Sequence, residues 1–190
     1  SRPRIFSLRA LTSSEETISF AEEIFRKKGN LAIITVGGKL LEFAVQNNIP
    51  HVRIPETHIQ PRLAIGFSLI ALATILSDQK MLDDLGSLRE VIKPEQFRDA
   101  GKELASHMRE KIPVIYASNV NKFLAYTWKI KFNETAKIPS FYNVFSELNH
   151  NEMAGFDLSS SMHSFRAFTF IFLKDPDDSA KIVKRMDITE

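Results

Sequence analysis

The sequence predicts an α/β fold built from doubly wound, mainly parallel sheets that are flanked by helices. Short runs of β-branched and aliphatic residues alternate with segments in which apolar residues recur at helical spacing. Residues 31–36 are almost entirely apolar, which is typical of a parallel strand buried on both faces. Such alternation forms parallel sheets through right-handed crossovers. It occurs twice along the chain, so we expect two α/β units.

The first unit is predicted to cover residues 1–80. Residues 5–8 read as the stub of a strand, and the acidic stretch that follows begins a helix. Ser13 and Glu16 have the spacing of a capping box at the start of that helix. This helix keeps apolar spacing over 18–25 and ends at Gly29. The remaining predicted elements are strands at 31–36 and 51–54, a turn at Gly37 and Gly38, and helices at 39–46 and 62–77.

The second unit is predicted to cover residues 81–190. A charged, glycine-containing stretch at 78–93 is typical of a linker, and Pro94 suits the first turn of the helix after it. Residues 165–173 are rich in phenylalanine, which favours a strand. The remaining predicted elements are a strand at 113–117, helices at 95–110, 119–133, 141–148 and 179–186, and a turn at 175–178.

Composition excludes several classes of function. Hydrophobic residues make up 44% of the chain, and 25 basic against 23 acidic residues leave a net charge of +2, which predicts no nucleic-acid partner. Cysteine is absent, which excludes disulfides and thiolate chemistry, and the five histidines have no spacing typical of a metal site. The longest uncharged run, 63–77, is too short to span a bilayer, and no secretory signal is visible. We therefore expect a cytoplasmic protein with no membrane partner.

The block at 133–152 holds the densest group of side chains suited to proton transfer. Glutamate and histidine are the usual general acids and bases near neutral pH, and both occur here, at Glu134, Glu147, His150 and Glu152. On composition alone the block also fits a solvated polar surface between two helices, because clusters of ionisable residues are usually exposed.

Motifs in this block carry a family resemblance. N-E-x-A-K-x-P followed by E-L-N-H-N-E resembles the signature of the bifunctional phosphoglucose/phosphomannose isomerase family, a branch of the SIS (sugar isomerase) superfamily. Residues 33–40 resemble the I-T-S-G-G-x-L turn of that family, and residues 59–62 resemble its Q-P-R segment. The resemblance covers nearly the whole chain and implies sheets of SIS type.

The resemblance implies an aldose–ketose isomerase that converts glucose 6-phosphate or mannose 6-phosphate to fructose 6-phosphate through a cis-enediol. Glu134 would be the base between C1 and C2, and His150 would assist ring opening in the partner's site of a homodimer. Arg62 would stabilise the enediolate, although on composition alone it fits a surface charge. A base near the C–H bond and a cation near the oxyanion suit this chemistry without a metal or cofactor.

The phosphate loop departs from the family pattern S-x-S-G-N-T-E-E-T. When the chain is aligned with the acidic end of this pattern, Arg9 takes the place of the first serine, Leu11 of the second serine and Thr12 of the glycine. Leucine cannot donate a hydrogen bond, and threonine does not readily take the positive φ of glycine. We expect Thr12, Ser13 and Ser14, with the helix N-terminus behind them, to hold the phosphate, and Arg9 to compensate by charge.

Two other functions stay open. The altered loop fits a sugar-phosphate-binding SIS module without catalysis, and a structural or dimerisation fragment without a site is the third possibility. The family has a further β-α segment before residue 1 and a catalytic lysine near its C-terminus, for which Lys181 and Lys184 come too early. We therefore expect the 190 residues to be an internal part of such an enzyme or a shortened relative.

Overall fold

The computed structural model describes residues 5–10, 14–156 and 166–190, and the chain divides into two compact units, Ser1–Pro94 and Glu95–Glu190. The elements of unit 1 are the strands β1 (Ile5–Ala10), β2 (Asn30–Thr35) and β3 (His51–Arg53) and the helices α1 (Glu15–Arg26), α2 (Lys39–Gln46), α3 (Ile65–Leu76) and α4 (Gln79–Val91).

The sheet of unit 1 is parallel, with strand order β1-β2-β3. Helices cover both faces of its central strand. Ile33 packs with residues of α1 and α2, whereas Ile34, the next residue, packs with Ala71 of α3. Burial on both faces explains why β2 is apolar throughout rather than alternating.

Helix α1 begins one residue later than the capping box predicted. Its N-cap is Ser14, whose Oγ accepts a hydrogen bond from the backbone N–H of Thr17 at 3.3 Å. The prediction of Ser13 as the cap paired with Glu16 is therefore wrong. Ser13 itself lies outside the described residues.

The linker predicted at 78–93 is also wrong, because α4 occupies residues 79–91 and packs on α3. The charged residues that suggested a linker form contacts along the helix instead. Lys80 forms an ion pair with Asp84 one turn away, and the Asp78 side chain caps the helix by accepting from Met81 N–H. The division between the two compact units falls after α4. Within the described residues, no helix is both long and apolar enough to cross a membrane.

The elements of unit 2 are the strands β4 (Ile112–Ser118), β5 (Phe141–Phe145) and β6 (Phe168–Leu173) and the helices α5 (Arg98–His107), α6 (Lys122–Lys131), α7 (Glu147–His150) and α8 (Ala180–Thr189). The sheet has the order β5-β4-β6, and both neighbours run parallel to β4.

Helices also cover both faces of β4. Tyr116 packs with Leu148 of α7 and Met186 of α8 in one core, and Ile115 packs with Ala125 of α6 in the other. The predicted α/β architecture, with two units of parallel sheet wound on both faces, is confirmed.

The helix predicted at 141–148 is wrong. Residues 141–145 form β5, and only a single helical turn, α7, follows. The segment begins Phe-Tyr-Asn-Val-Phe, and aromatic and β-branched side chains fit a pleated, half-buried surface better than a helix. Pairing with β4 from Val114↔Phe141 to Ser118↔Phe145 decides the conformation.

Candidate functional site

The segments that carry the predicted phosphate-binding residues and Arg62 follow the carboxyl ends of the unit 1 strands. β1 leads toward Ser14 at the start of α1, and β2 leads into the turn at Gly37 and Gly38. β3 leads through a loop into a 3₁₀ turn, Pro61–Leu63, that contains Arg62. Ligands of parallel α/β sheets bind at this edge, so the fold gathers these three segments where a ligand site is expected.

Ser14 is the part of the predicted phosphate loop whose side chain the structure describes. Its Oγ accepts from Thr17 N–H and lies 2.9 Å from Thr17 Oγ1. The pKa of Glu16 is lowered by a hydrogen bond from the backbone N–H of Glu16 itself and, to a smaller extent, by one from the Ser14 side chain. A negative charge therefore already occupies the positive end of α1.

The other predicted phosphate ligands are only partly described. Thr12 and Ser13 lie outside the described residues. Of Arg9 only the backbone is described, in register with Ile34 of the neighbouring strand.

The glycine turn after β2 is held from inside the sheet. The buried Thr35 hydroxyl donates to the Gly37 carbonyl at 3.1 Å and accepts from Gly37 N–H at 3.3 Å. Gly38 is the N-cap of α2, with φ 71° and ψ −161°, a conformation that is essentially restricted to glycine. The turn therefore has a fixed shape at the edge where α2 begins.

Arg62 is half-buried, and its Nη1 lies 3.5 Å from Gln60 Oε1. The turn that carries it borders a cleft of about 200 Å³ that also includes Val36 at the end of β2 and His58 in the preceding loop. The predicted apolar helix begins at Ile65 rather than at Arg62, because the 3₁₀ turn comes first.

Glu134 is exposed in a π-helical turn, Phe132–Ala136, that extends α6. Asn133 closes this turn by donating from Nδ2 to the carbonyl of Ile138 at 2.9 Å, and Lys137 ends it in the left-handed conformation. π turns inside helices are frequent at functional sites. The structure thus presents Glu134 on a defined turn at the amino-terminal side of β5.

His150 is exposed at the end of α7, on the carboxyl-terminal side of β5. α7 is only one turn long, and isolated helices of that length are not stable in water. Its anchor is Leu148, which is fully buried against Phe145 and Met186.

The sheet of unit 2 separates the segment that carries Glu134 from the segment that carries His150. Phe132, two residues before Glu134, packs on the face of Ile115. Leu148, two residues before His150, packs on the opposite face, with Tyr116. Within one chain the two predicted catalytic residues therefore follow opposite faces of one sheet.

A polar cluster that includes Tyr116 was not predicted from the sequence. The hydroxyl of the buried Tyr116 donates to Glu152 Oε1 at 2.8 Å, and Asn143 Nδ2 donates to Glu152 Oε2. Burial, followed by the hydrogen bond to Glu152 and its charge, raises the pKa of Tyr116 well above its usual range. The only sequence signal was a tyrosine inside the apolar strand β4.

The described residues contain no group of three or more His, Asp or Glu side chains placed to hold a metal ion.

Residues 97–190 match the family model of the bacterial phospho-glucose isomerase C-terminal SIS domain. The chain is 35% identical over 192 positions to the bifunctional phosphoglucose/phosphomannose isomerase of Caldicellulosiruptor bescii, across 94% of this chain and 56% of that protein. It is 36% identical over 180 positions to the enzyme of that name from Thermoplasma volcanium, again across 94% and 56%. The chain belongs to the bifunctional phosphoglucose/phosphomannose isomerase family.

The family assignment extends to the fold. The C-terminal domain of glucosamine-fructose-6-phosphate aminotransferase from Francisella tularensis superposes with a TM-score of 0.68 at 13% identity, across 97% of this chain and 55% of that one. The two parallel sheets are thus of SIS type, as predicted. The chain spans about 56% of the length of the two isomerases it matches.

Proposed function

We propose that the chain acts as an aldose–ketose isomerase on hexose 6-phosphates. Family membership together with the exposed positions of Glu134 and His150 supports this proposal most strongly. Both residues stand on short, internally bonded turns rather than in the middle of a charged helix face. Such placement suits groups that must meet a ligand in a fixed geometry.

The proposed reaction uses each residue in one step. His150 assists opening of the sugar ring. The Glu134 carboxylate then takes the proton from C2 of the open aldose, and the electron pair forms the C1–C2 double bond of a cis-enediolate. Arg62 stabilises the oxyanion on O1, the hydroxyl proton of O2 moves to O1, and Glu134 returns the proton to C1 to give the ketose.

We propose that a second copy of the chain completes the site. Because the segments of Glu134 and His150 follow opposite faces of the unit 2 sheet, one sugar is not readily reached by both residues of a single copy. A two-fold dimer brings the His150 segment of each copy to the Glu134 segment of the other.

The phosphate is proposed to bind at the start of α1, on Ser14 with Thr12 and Ser13, and with Arg9 supplying positive charge. The hydroxyl of Ser14 is a donor for an anion, and an incoming phosphate would replace the Glu16 carboxylate at the positive end of α1. Fructose 6-phosphate and inorganic phosphate at millimolar concentration should both raise the unfolding temperature. No shift with either compound would contradict this placement.

A coupled assay for conversion of fructose 6-phosphate to glucose 6-phosphate tests the proposal. We expect turnover by the wild-type chain and loss of at least about a hundredfold in kcat for Glu134→Gln, because the amide cannot take the proton. Glu103→Gln, an exposed glutamate of α5, is the matched control and should retain full activity. No turnover by the wild-type chain, or equal turnover by Glu134→Gln, would contradict the proposal.

One observation favours a second candidate, a sugar-phosphate-binding module without catalysis. Leu11 and Thr12 stand where the family pattern has a serine and a glycine, so phosphate recognition has changed. Thermal stabilisation by fructose 6-phosphate without turnover in the coupled assay would support this candidate over the isomerase.

A further inference from the structure

The four residues of the N-H-N-E motif have different surroundings. His150 is exposed, and among the described residues no hydrogen bond is formed by its side chain. Of its three companions in the motif, Asn149 and Glu152 bond to other elements of unit 2, and Asn151 bonds to Glu147 within the same segment. The motif therefore combines one presented residue with two that attach the segment to the rest of unit 2.

Glu152 makes the deepest of these attachments. Both of its carboxylate oxygens accept hydrogen bonds from the sheet, one from the Tyr116 hydroxyl of β4 at 2.8 Å and one from the Asn143 amide of β5. Tyr116 is only 3% exposed and stacks on Phe170 of β6, so it is a rigid donor. Hydrogen bonds to a charged acceptor are the stronger kind.

The residues on either side of His150 are held as well. Asn149 Oδ1 accepts from Arg185 Nη1 of α8 at 3.2 Å, and Asn151 Nδ2 donates to Glu147 Oε1 at 2.9 Å. The first bond joins the segment to α8, whereas the second lies within the segment itself. Both are exposed and weaker than the bonds of Glu152, because water competes for their partners.

We propose that Glu152, bound to Tyr116 and Asn143, is a positioning residue that fixes the segment from which His150 is presented. It does not exchange a proton with the sugar, because both of its oxygens are committed to donors of the sheet. The proposal rests on the proposed function only in that His150 acts on the sugar. The carboxylate of this motif is thus an anchor, although it is a candidate base by sequence.

The chemistry of the cluster accounts for a carboxylate here. Tyr116 Oη and Asn143 Nδ2 both offer donors at the same face of the sheet, and an ionised carboxylate offers an acceptor to each without a donor of its own. A glutamine keeps one acceptor oxygen but turns an N–H₂ group toward the second partner. It should therefore restore the anchor in part.

Hydrogen–deuterium exchange of the full chain tests the anchor without reference to activity. Tyr116→Phe and Glu152→Ala should speed exchange in the peptide that covers residues 147–152 by about tenfold. Glu152→Gln should fall between Glu152→Ala and the wild type. Tyr142→Phe removes the hydroxyl of a partly exposed tyrosine of β5 and is the matched control, for which we expect no change. Unchanged exchange in the first two variants would overturn the proposal.

The coupled isomerase assay separates positioning from general destabilisation. Glu152→Ala and Tyr116→Phe should lower kcat about tenfold while KM for fructose 6-phosphate stays within about twofold, because the phosphate site lies in unit 1. Faster exchange with unchanged kcat would refute the positioning role. A wild-type chain without turnover whose 147–152 segment still responds to Glu152→Ala would instead contradict the proposed function and leave the anchor supported.

Discussion

Two adjacent glycines in one turn allow a sharp test of the unit 1 site. Gly38 has φ 71° and ψ −161°, whereas Gly37 is outside the positive-φ region and has open space where a Cβ would stand. Alanine at 38 should destabilise the turn by about 1–3 kcal/mol, the range for a residue forced into a sparsely populated region. Alanine at 37 should be neutral or stabilise by up to about 1 kcal/mol, because it restricts the unfolded chain.

Peptide-resolved hydrogen exchange measures this difference within unit 1. At about 1.4 kcal/mol per factor of ten, Gly38→Ala should speed exchange across β2 and α2 by about 5- to 150-fold. Gly37→Ala should leave the rate unchanged or slow it. The buried Thr35 hydroxyl bonds to the backbone N–H and carbonyl of Gly37, which alanine retains, so the matched pair isolates φ at residue 38. Equal acceleration by both substitutions would refute the reasoning.

Three further predictions concern stability and charge. Leu148→Ala should cost unit 2 about 2–5 kcal/mol, seen as a lower urea midpoint in the fluorescence of Trp128, the single tryptophan. Ser14→Ala should lower the stability of α1 by about 1 kcal/mol in thermal unfolding and weaken protection by phosphate. Hydrogen bonds from the Asp177 backbone N–H, and then from the Asn121 side chain, lower the pKa of Asp175. The stability that these bonds give the folded state is therefore present above about pH 4 and is lost as the pH falls. An NMR titration of Asn121→Ala should show that pKa moving back toward 3.8.

Much of the fold was predictable because its signals are local. The β-branched run of β2, the glycine turn and α2 at 39–46 depend on neighbours in sequence and were located almost to the residue. The errors arose where distant contacts decide. β5 becomes a strand by pairing with β4, and α4 is stabilised by packing on α3, which charges along 78–93 do not reveal.

The sequence names residues for the candidate site but does not reveal their arrangement. The motifs at 133–152 singled out Glu134 and His150, and the structure places both on exposed turns. That the sheet lies between their segments follows from the alternation of Tyr116 and Ile115 across β4, which no motif encodes. The anchoring of Glu152 by Tyr116 joins residues far apart in sequence, so only the fold reveals it.

Mixing two inactive variants tests the central claim, that Glu134 and His150 of different copies act in one site. Random pairing of Glu134→Gln with His150→Ala makes half of the dimers mixed. In each mixed dimer one site carries both substitutions and the other neither, so about a quarter of the wild-type isomerase activity should return. If both residues acted within one copy, every site would lack one of them. Mixtures as inactive as the separate variants would therefore contradict the claim.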